Sequence, residues 1–82
     1  MKSRRFSKNV HIYTAFFDRN SNGSYTVTVP SLPGLVTEGK DIEDARMMVE
    51  DAIKCYVGGM LKDKEAIPEE TDTAQIRITV TV

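Results

Sequence analysis

The chain has few of the residues that small domains use for crosslinks. Its 82 residues include one cysteine, Cys55, one histidine, His11, and no tryptophan. A lone cysteine excludes a disulfide within the chain, and one cysteine with one histidine falls short of the four ligands of a structural zinc site. A domain of this size has only a marginal core of its own. We therefore expect self-association, as a homodimer or a higher homo-oligomer, to supply stability.

The sequence also lacks long apolar runs. None approaches the roughly 20 residues that cross a bilayer, and no apolar segment follows the basic N-terminal residues as a secretory signal requires. Together with the lone thiol, these features predict a single domain over residues 1–82, in the reducing cytoplasm and without membrane contact. Residues 1–9 are expected to form a flexible basic arm.

The net charge of −1 conceals an uneven distribution. Four of the eleven basic residues fall within the first eight positions, and the remaining seven stand against twelve acidic residues. The arm is a candidate nucleic-acid contact through Lys2, Arg4, Arg5 and Lys8. The acidic body favours a basic protein partner, although solubility alone would also explain it.

Three strands are predicted in the first half of the chain. Residues 10–18 are rich in β-branched and aromatic side chains, and residues 24–29 alternate between apolar and hydroxyl side chains. Asn22-Gly23 between them is a hairpin signal. The turn at residues 30–34 precedes a short third strand over residues 35–38. Phe16 and Phe17 are neighbours in strand one, so both of its faces need cover.

A helix and a fourth strand are predicted in the second half. Asp41 is the expected N-cap, and apolar residues then recur every three or four positions. This stripe consists of Ile42, Ala45, Val49, Ala52, Ile53, Tyr56 and Met60. Gly58 and Gly59 weaken the helix near its end, and residues 76–82 alternate again. The predicted fold is α+β in the order β-β-β-α-β: a three-stranded antiparallel meander, one long helix on one face, and a C-terminal fourth strand in the sheet.

No residue pattern predicts catalysis or a bound cofactor or metal. His11 has no serine, cysteine or acid in a recognisable relation to it, and Cys55 is expected to be a packed thiol. Asp18, Glu38 and Asp41 would be the carboxylates of a metal-dependent nuclease. However, Asp18 begins a hairpin turn and Asp41 begins a helix, and both are ordinary structural uses. We therefore predict that the protein is not an enzyme.

Several motifs, in order along the chain, resemble the HicB antitoxin family. They are residues 13–18, residues 23–34, Thr37-Glu38-Gly39, Ile42-Glu43-Asp44-Ala45, Glu50-Asp51-Ala52-Ile53 and Ile67-Pro68. Pro30, Leu32, Pro33 and Gly34 form the family's most recognisable turn, and we assign them a structural role. The chain departs from the family at Ser31, where an acidic residue is usual, and at Leu35, where cysteine is frequent. Neither change should disturb the fold.

The resemblance implies a partial RNase H-like fold without nuclease activity, and an antitoxin role. Such antitoxins cover a small RNA-cleaving toxin of the HicA type, whose histidine lies on a double-stranded-RNA-binding fold. The expected partner contacts are Glu43, Asp44, Glu50 and Asp51. Longer relatives add a C-terminal DNA-binding domain, which is expected to be absent here. The alternative is a small dimeric nucleic-acid-binding regulator that uses the basic arm, and a small hydrolase is a third hypothesis.

Overall fold

The structure is a computed structural model that describes residues 10–70 and 74–82. It contains three strands, β1 (Phe16–Arg19), β2 (Tyr25–Thr28) and β3 (Val36–Gly39), followed by one helix, α1 (Ile42–Lys62). The strands form an antiparallel sheet in the order β1-β2-β3, with α1 packed on one face. This confirms the predicted meander and long helix. The predicted N-terminal arm lies outside the described residues.

β1 is shorter than the sequence predicts. It begins at Phe16 rather than near residue 10, and Phe16 lies opposite Thr28 in the register. Continuing that register would set Thr14 opposite Pro30, which has no N–H to donate to the ladder. Pairing therefore stops where β2 meets its proline, and residues 10–15 lead into the sheet without belonging to it.

The core lies between the sheet and the helix. Alternation along β2 turns Val27 and then Val29 toward α1, and both are fully buried with Leu32. Phe17 lies opposite Val27 and packs against this core. Phe16 lies on the other face and is 38% exposed. The predicted conflict in strand one is therefore confirmed, because only one of its two aromatic rings is covered by the helix.

The helix begins and runs largely as predicted. The Asp41 carboxylate accepts a hydrogen bond from the Asp44 N–H at 2.8 Å, which caps the first turn. Of the predicted stripe, Ala45 and Val49 are buried, and three more residues pack partly against the core: Ala52, Ile53 and Tyr56. Ile42, the first residue of the helix, is exposed, and Val57 is buried in addition. The helix continues through Gly58 and Gly59 to Lys62.

Two glycines hold the sheet and helix in place. Gly34 has φ +86°, a conformation that side chains with a Cβ rarely adopt, and it closes the turn after Leu32. Gly39 ends β3 directly against the helix, and a Cβ there would lie 2.3 Å from the backbone of Ala45. The Tyr56 hydroxyl donates to the Pro33 carbonyl at 2.8 Å and joins the helix to the turn.

The predicted fourth strand is not found. Residues 74–82 carry no strand pairing, and the sheet of the described residues has three strands. The aliphatic side chains of this segment are exposed: Ile76, Ile78, Val80 and Val82. Alternation determines which side chains share a face, but it supplies no hydrogen-bonding partner. The segment starts beside Pro30, where the ladder between β1 and β2 has already ended.

Candidate partner-binding site

The outer side of α1 carries an apolar centre within an acidic rim. Met47 is 66% exposed, and Glu43, Glu50 and Asp51 are among its neighbours at three- and four-residue spacing. All three carboxylates are exposed on the side of the helix that faces away from Ala45 and Val49. We call these four residues (Glu43, Met47, Glu50 and Asp51) the acidic helix face. Three of the four predicted contact residues therefore lie together.

Asp44, the remaining predicted contact, has a different position. It is half-buried, and its carboxylate accepts a hydrogen bond from the Lys40 N–H at 3.0 Å. Its own N–H donates to Asp41. The two aspartates thus satisfy backbone donors on both sides of the helix start, much as a capping box does. In the single chain Asp44 has a structural role.

Met47 is the residue of this face that sequence reasoning missed. Met47 falls outside the predicted apolar stripe, and charge alone guided the choice of contact residues. A large apolar side chain at a solvent-facing position, between acidic residues, was the available signal. Methionine is enriched at protein interfaces because its flexible thioether adapts to different partner surfaces.

The carboxylates that would serve a nuclease are separated in the fold. Asp18 and Glu38 both lie opposite Thr26, so a whole strand stands between them, which is about 10 Å at ordinary strand spacing. Glu38 accepts a hydrogen bond from the Ser24 hydroxyl at 3.2 Å, and Asp41 caps α1. Among residues 10–70 and 74–82, no group of three or more His, Cys, Asp or Glu residues could hold a metal ion.

The two single reactive side chains are both on the surface. His11 is exposed, and its ring stacks on Tyr13 with centroids 6.5 Å apart. Cys55 is an exposed free thiol, which corrects the prediction that it is packed. The reason is helical phase: Cys55 precedes the core-facing Tyr56 and points away from the sheet. The four basic residues proposed for nucleic-acid contact, Lys2, Arg4, Arg5 and Lys8, lie outside the described residues.

A second polar cluster joins the segment after α1 to the start of the sheet. The Glu70 carboxylate accepts hydrogen bonds from the Thr14 hydroxyl, from the Thr14 N–H at 2.9 Å and from the Ser31 hydroxyl at 2.9 Å. These bonds favour the ionised form, so they lower the pKa of Glu70. We call this cluster the Glu70 junction.

Tyr13 strengthens the same connection. Its hydroxyl donates to the Pro68 carbonyl at 2.6 Å. Burial, and then the negative charges of Glu69 and Glu70, raise the pKa of Tyr13. The sequence showed only an acidic linker here, because contacts between residues 55 or 56 positions apart leave no local pattern. The junction fastens the segment after the helix to the residues that lead into β1 and to the turn after β2.

In the portion of the chain that the structure covers, no helix is both long enough and apolar enough to cross a membrane. α1 has 21 residues, but charged side chains are distributed along it.

Comparison with known proteins identifies the family. A family model described as the HicB-like antitoxin of bacterial toxin–antitoxin systems matches residues 13–80. A UPF0150 protein of Thermoplasma acidophilum is 36% identical over 58 residues, which cover 71% of this chain and 84% of that protein. A UPF0150 protein of Synechocystis is 25% identical over 77% of this chain and 80% of its own length.

A phage relative is longer. An uncharacterized 14.9 kDa protein of Haemophilus phage HP1 is 33% identical over 66% of this chain but only 41% of its own length. No solved structure matches the chain, so the RNase H-like relationship stays a prediction. The match over residues 13–80 includes the turn, the helix and the Glu70 junction. The chain belongs to the HicB-like antitoxin family.

Proposed function

We propose that this chain is the antitoxin of a toxin–antitoxin pair and acts by stoichiometric binding to a small RNA-cleaving toxin of the HicA type, whose active site it masks. Family membership supports the antitoxin role. The observation that carries the masking mechanism is the acidic helix face, an exposed Met47 within a rim of three carboxylates. Masking requires a complementary surface and no catalytic group on this chain.

The chemistry of this face suits a basic partner. A protein that binds RNA has a positively charged surface, since it must contact phosphates. Opposite charges on the two proteins accelerate their encounter and orient it. Met47 would then lose its contact with water at the centre of the interface, where apolar side chains contribute most of the binding free energy. The three carboxylates would form the rim.

The test measures binding to the toxin encoded beside the antitoxin gene. Reversing two rim charges, with Glu50→Lys and Asp51→Lys together, should reduce the association rate about 10-fold or more at low salt. Met47→Asp should mainly raise the dissociation rate, because it places a charge in the centre of the interface. Glu65→Lys, an exposed change of charge beyond α1, is the matched control and should change neither rate strongly. Equal rates for all variants would place the contact elsewhere.

We further propose that the chain performs no catalysis of its own. The separation of Asp18, Glu38 and Asp41 in the fold supports this part of the proposal. Pure protein incubated with RNA or DNA, with and without Mg²⁺ or Mn²⁺, should cause no turnover. Cleavage that disappears in Asp18→Asn would contradict it.

Self-association in the cytoplasm completes the proposed function. Phe16 stays partly exposed on the sheet face that α1 does not cover, next to Thr28 and, beyond it, Val36. A row of this kind gains stability when a second surface covers it. In a homodimer, a second copy of the chain would supply that surface.

A further inference from the structure

Residues 74–82, here called the C-terminal arm, expose one aliphatic face. Ile76, Ile78 and Val80 are each about three-quarters exposed (74–76%), and Val82 is fully exposed. In an extended conformation these four side chains share one face, and Arg77, Thr79 and Thr81 alternate with them on the other. Nine residues in an extended conformation span about 30 Å, whereas neighbouring strands of a sheet lie about 4.8 Å apart. A contiguous apolar surface of this kind marks an interaction site.

The arm starts against its own sheet and then leaves it. Ala74, Gln75 and Ile76 line a groove of about 360 Å³ together with Phe16 and Pro30. Nearby, the Glu70 junction fastens the preceding segment to Thr14 and Ser31. From Arg77 onward, every residue is exposed. The aliphatic face is thus presented outward from the side of the molecule where β1 lies.

An acceptor for such an arm exists on the same molecule. β1 is an edge strand whose one neighbour among the described strands is β2, so its outer backbone groups are available for pairing. Beside the segment that leads into β1 runs a groove of about 720 Å³, bounded on its other side by α1. Its apolar lining consists of Ile12, Tyr13, Ile53, Val57 and Leu61.

Charge is complementary as well. Arg77 is the one charged side chain of the arm. Asp18 lies on the sheet face opposite the helix, in the same cross-strand row as Glu38, since both lie opposite Thr26. An arm that turned its aliphatic residues toward α1 would turn Arg77 toward this acidic row, because alternate side chains point to opposite faces.

We propose that two copies exchange these arms. The arm of each copy pairs along β1 of the other, places Ile76, Ile78 and Val80 in the groove beside α1, and sets Arg77 beside the partner's Asp18. Main-chain hydrogen bonds from strand addition supply affinity, and the alternating side chains set the register. The contact is isologous, with the same two surfaces used twice. This inference rests on the proposed self-association. Glu50 lines the groove and also belongs to the acidic helix face proposed to bind the toxin, so the two proposed surfaces meet at that residue.

The first experiment measures mass by multi-angle light scattering across a dilution series. The full chain should give twice the monomer mass of 9.2 kDa. Ile78→Lys should halve the mass, because it sets a charge in the groove, whereas Thr79→Lys, one residue away on the other face, should leave the dimer intact. Val80→Lys is a second variant on the aliphatic face with the same expectation as Ile78→Lys. Circular dichroism should show an unchanged fold for all of them.

The second experiment tests exchange directly. Leu61→Glu alters the acceptor groove at an exposed position and should also give monomers, while Met47→Glu, exposed on α1 but outside the groove, should not. Mixing Ile78→Lys with Leu61→Glu should restore the dimer mass at high concentration, since the mixed dimer keeps one of the two arm–groove contacts intact and places opposite charges together in the other.

Three outcomes would overturn the inference. A full chain of 9.2 kDa at all concentrations would overturn self-association and arm exchange together. A dimer that survives Ile78→Lys and Val80→Lys would overturn arm exchange and leave self-association standing. A mixture of Ile78→Lys and Leu61→Glu that stays monomeric would show that the arm acts within its own chain.

Discussion

β2 and the C-terminal arm have the same sequence pattern and different structures. Both alternate between aliphatic and threonine side chains, yet Val27 of β2 is fully buried and Val80 of the arm is 76% exposed. β2 has a strand on each side, delivered by short turns, and a helix over one face. Among residues 10–70 and 74–82, the arm has neither a paired strand nor a covering helix. Alternation therefore determines which side chains share a face. Whether that face is buried depends on other residues, which must place a strand or a helix against it.

The sharpest test of this difference applies one chemical change to both regions. Val27→Ala should lower the free energy of unfolding by roughly 2–4 kcal/mol, the loss of a buried valine plus the cavity that it leaves. Val80→Ala should stay within about 0.5 kcal/mol, as exposed changes usually do. Urea melts in the Ile78→Lys chain keep self-association out of the measurement. Equal losses would mean that the arm is part of the folded core.

A second test disturbs the packing of α1 on the sheet instead of changing a residue that α1 buries. Gly39→Ala places a methyl group against the backbone of Ala45 and should destabilise the domain by about 1–3 kcal/mol, as overpacking does. Gly58→Ala is the matched control, since nothing lies within 4 Å of a Cβ there. It should stabilise the helix by up to about 1 kcal/mol. A harmless Gly39→Ala would show that α1 need not approach β3 so closely.

A third prediction concerns the N-terminus of α1. Asp41→Ala removes the carboxylate that accepts the Asp44 N–H and should cost about 1 kcal/mol. Asp41→Asn retains an acceptor oxygen and should recover most of the loss. Thermal unfolding followed at 222 nm distinguishes the two variants. If Asp41→Asn were as unstable as Asp41→Ala, the cap would not be the reason for the aspartate.

The smallest expected effect lies at the Glu70 junction, where the covered region meets the arm. The folded-state pKa of Glu70 is lowered, so its stabilisation is complete above the ordinary glutamate pKa of about 4.3 and is lost as pH falls through the folded value. The wild type should therefore be more stable than Glu70→Gln at pH 7, and this difference should narrow by pH 3. Urea melts at the two pH values measure it.

Glu69→Gln serves as the control for Glu70→Gln, because Glu69 is exposed and makes none of the junction's hydrogen bonds. A difference between wild type and Glu70→Gln that is the same at pH 7 and pH 3 would show that the ionised carboxylate is not what holds Thr14 and Ser31.

Local patterns predicted most of the domain, and long-range contacts account for what they missed. The strict alternation at β2, the cap at Asp41 and the helical stripe are each encoded within a few residues, and the structure confirms them. The prediction that β1 begins near residue 10 was wrong, because Pro30, two residues after the end of β2, limits the pairing. The predicted fourth strand is not found among the described residues, because alternation carries no information about the strand that must lie beside it.

The candidate site follows the same division. Glu43, Glu50 and Asp51 were predicted from charge and position, and helical geometry brings them together around Met47. Met47 was missed because it lies outside the predicted apolar stripe and the contact residues were chosen by charge. Asp44 was chosen for its charge, but its carboxylate is used by the neighbouring backbone at Lys40. The Glu70 junction depends on residues far apart in sequence, and no local sequence pattern indicates that they are in contact.

The positions of the tyrosines have a spectroscopic consequence. The chain has three tyrosines and no tryptophan, and Tyr13, Tyr25 and Tyr56 all pack against the core. Two of them also donate hydrogen bonds to backbone carbonyls. Tyrosine emission from the natural protein thus originates from rings that pack against the core. A single tryptophan introduced into residues 74–82 would emit at its own wavelength and would report the surroundings of that segment alone, against a tyrosine background that reports the fold.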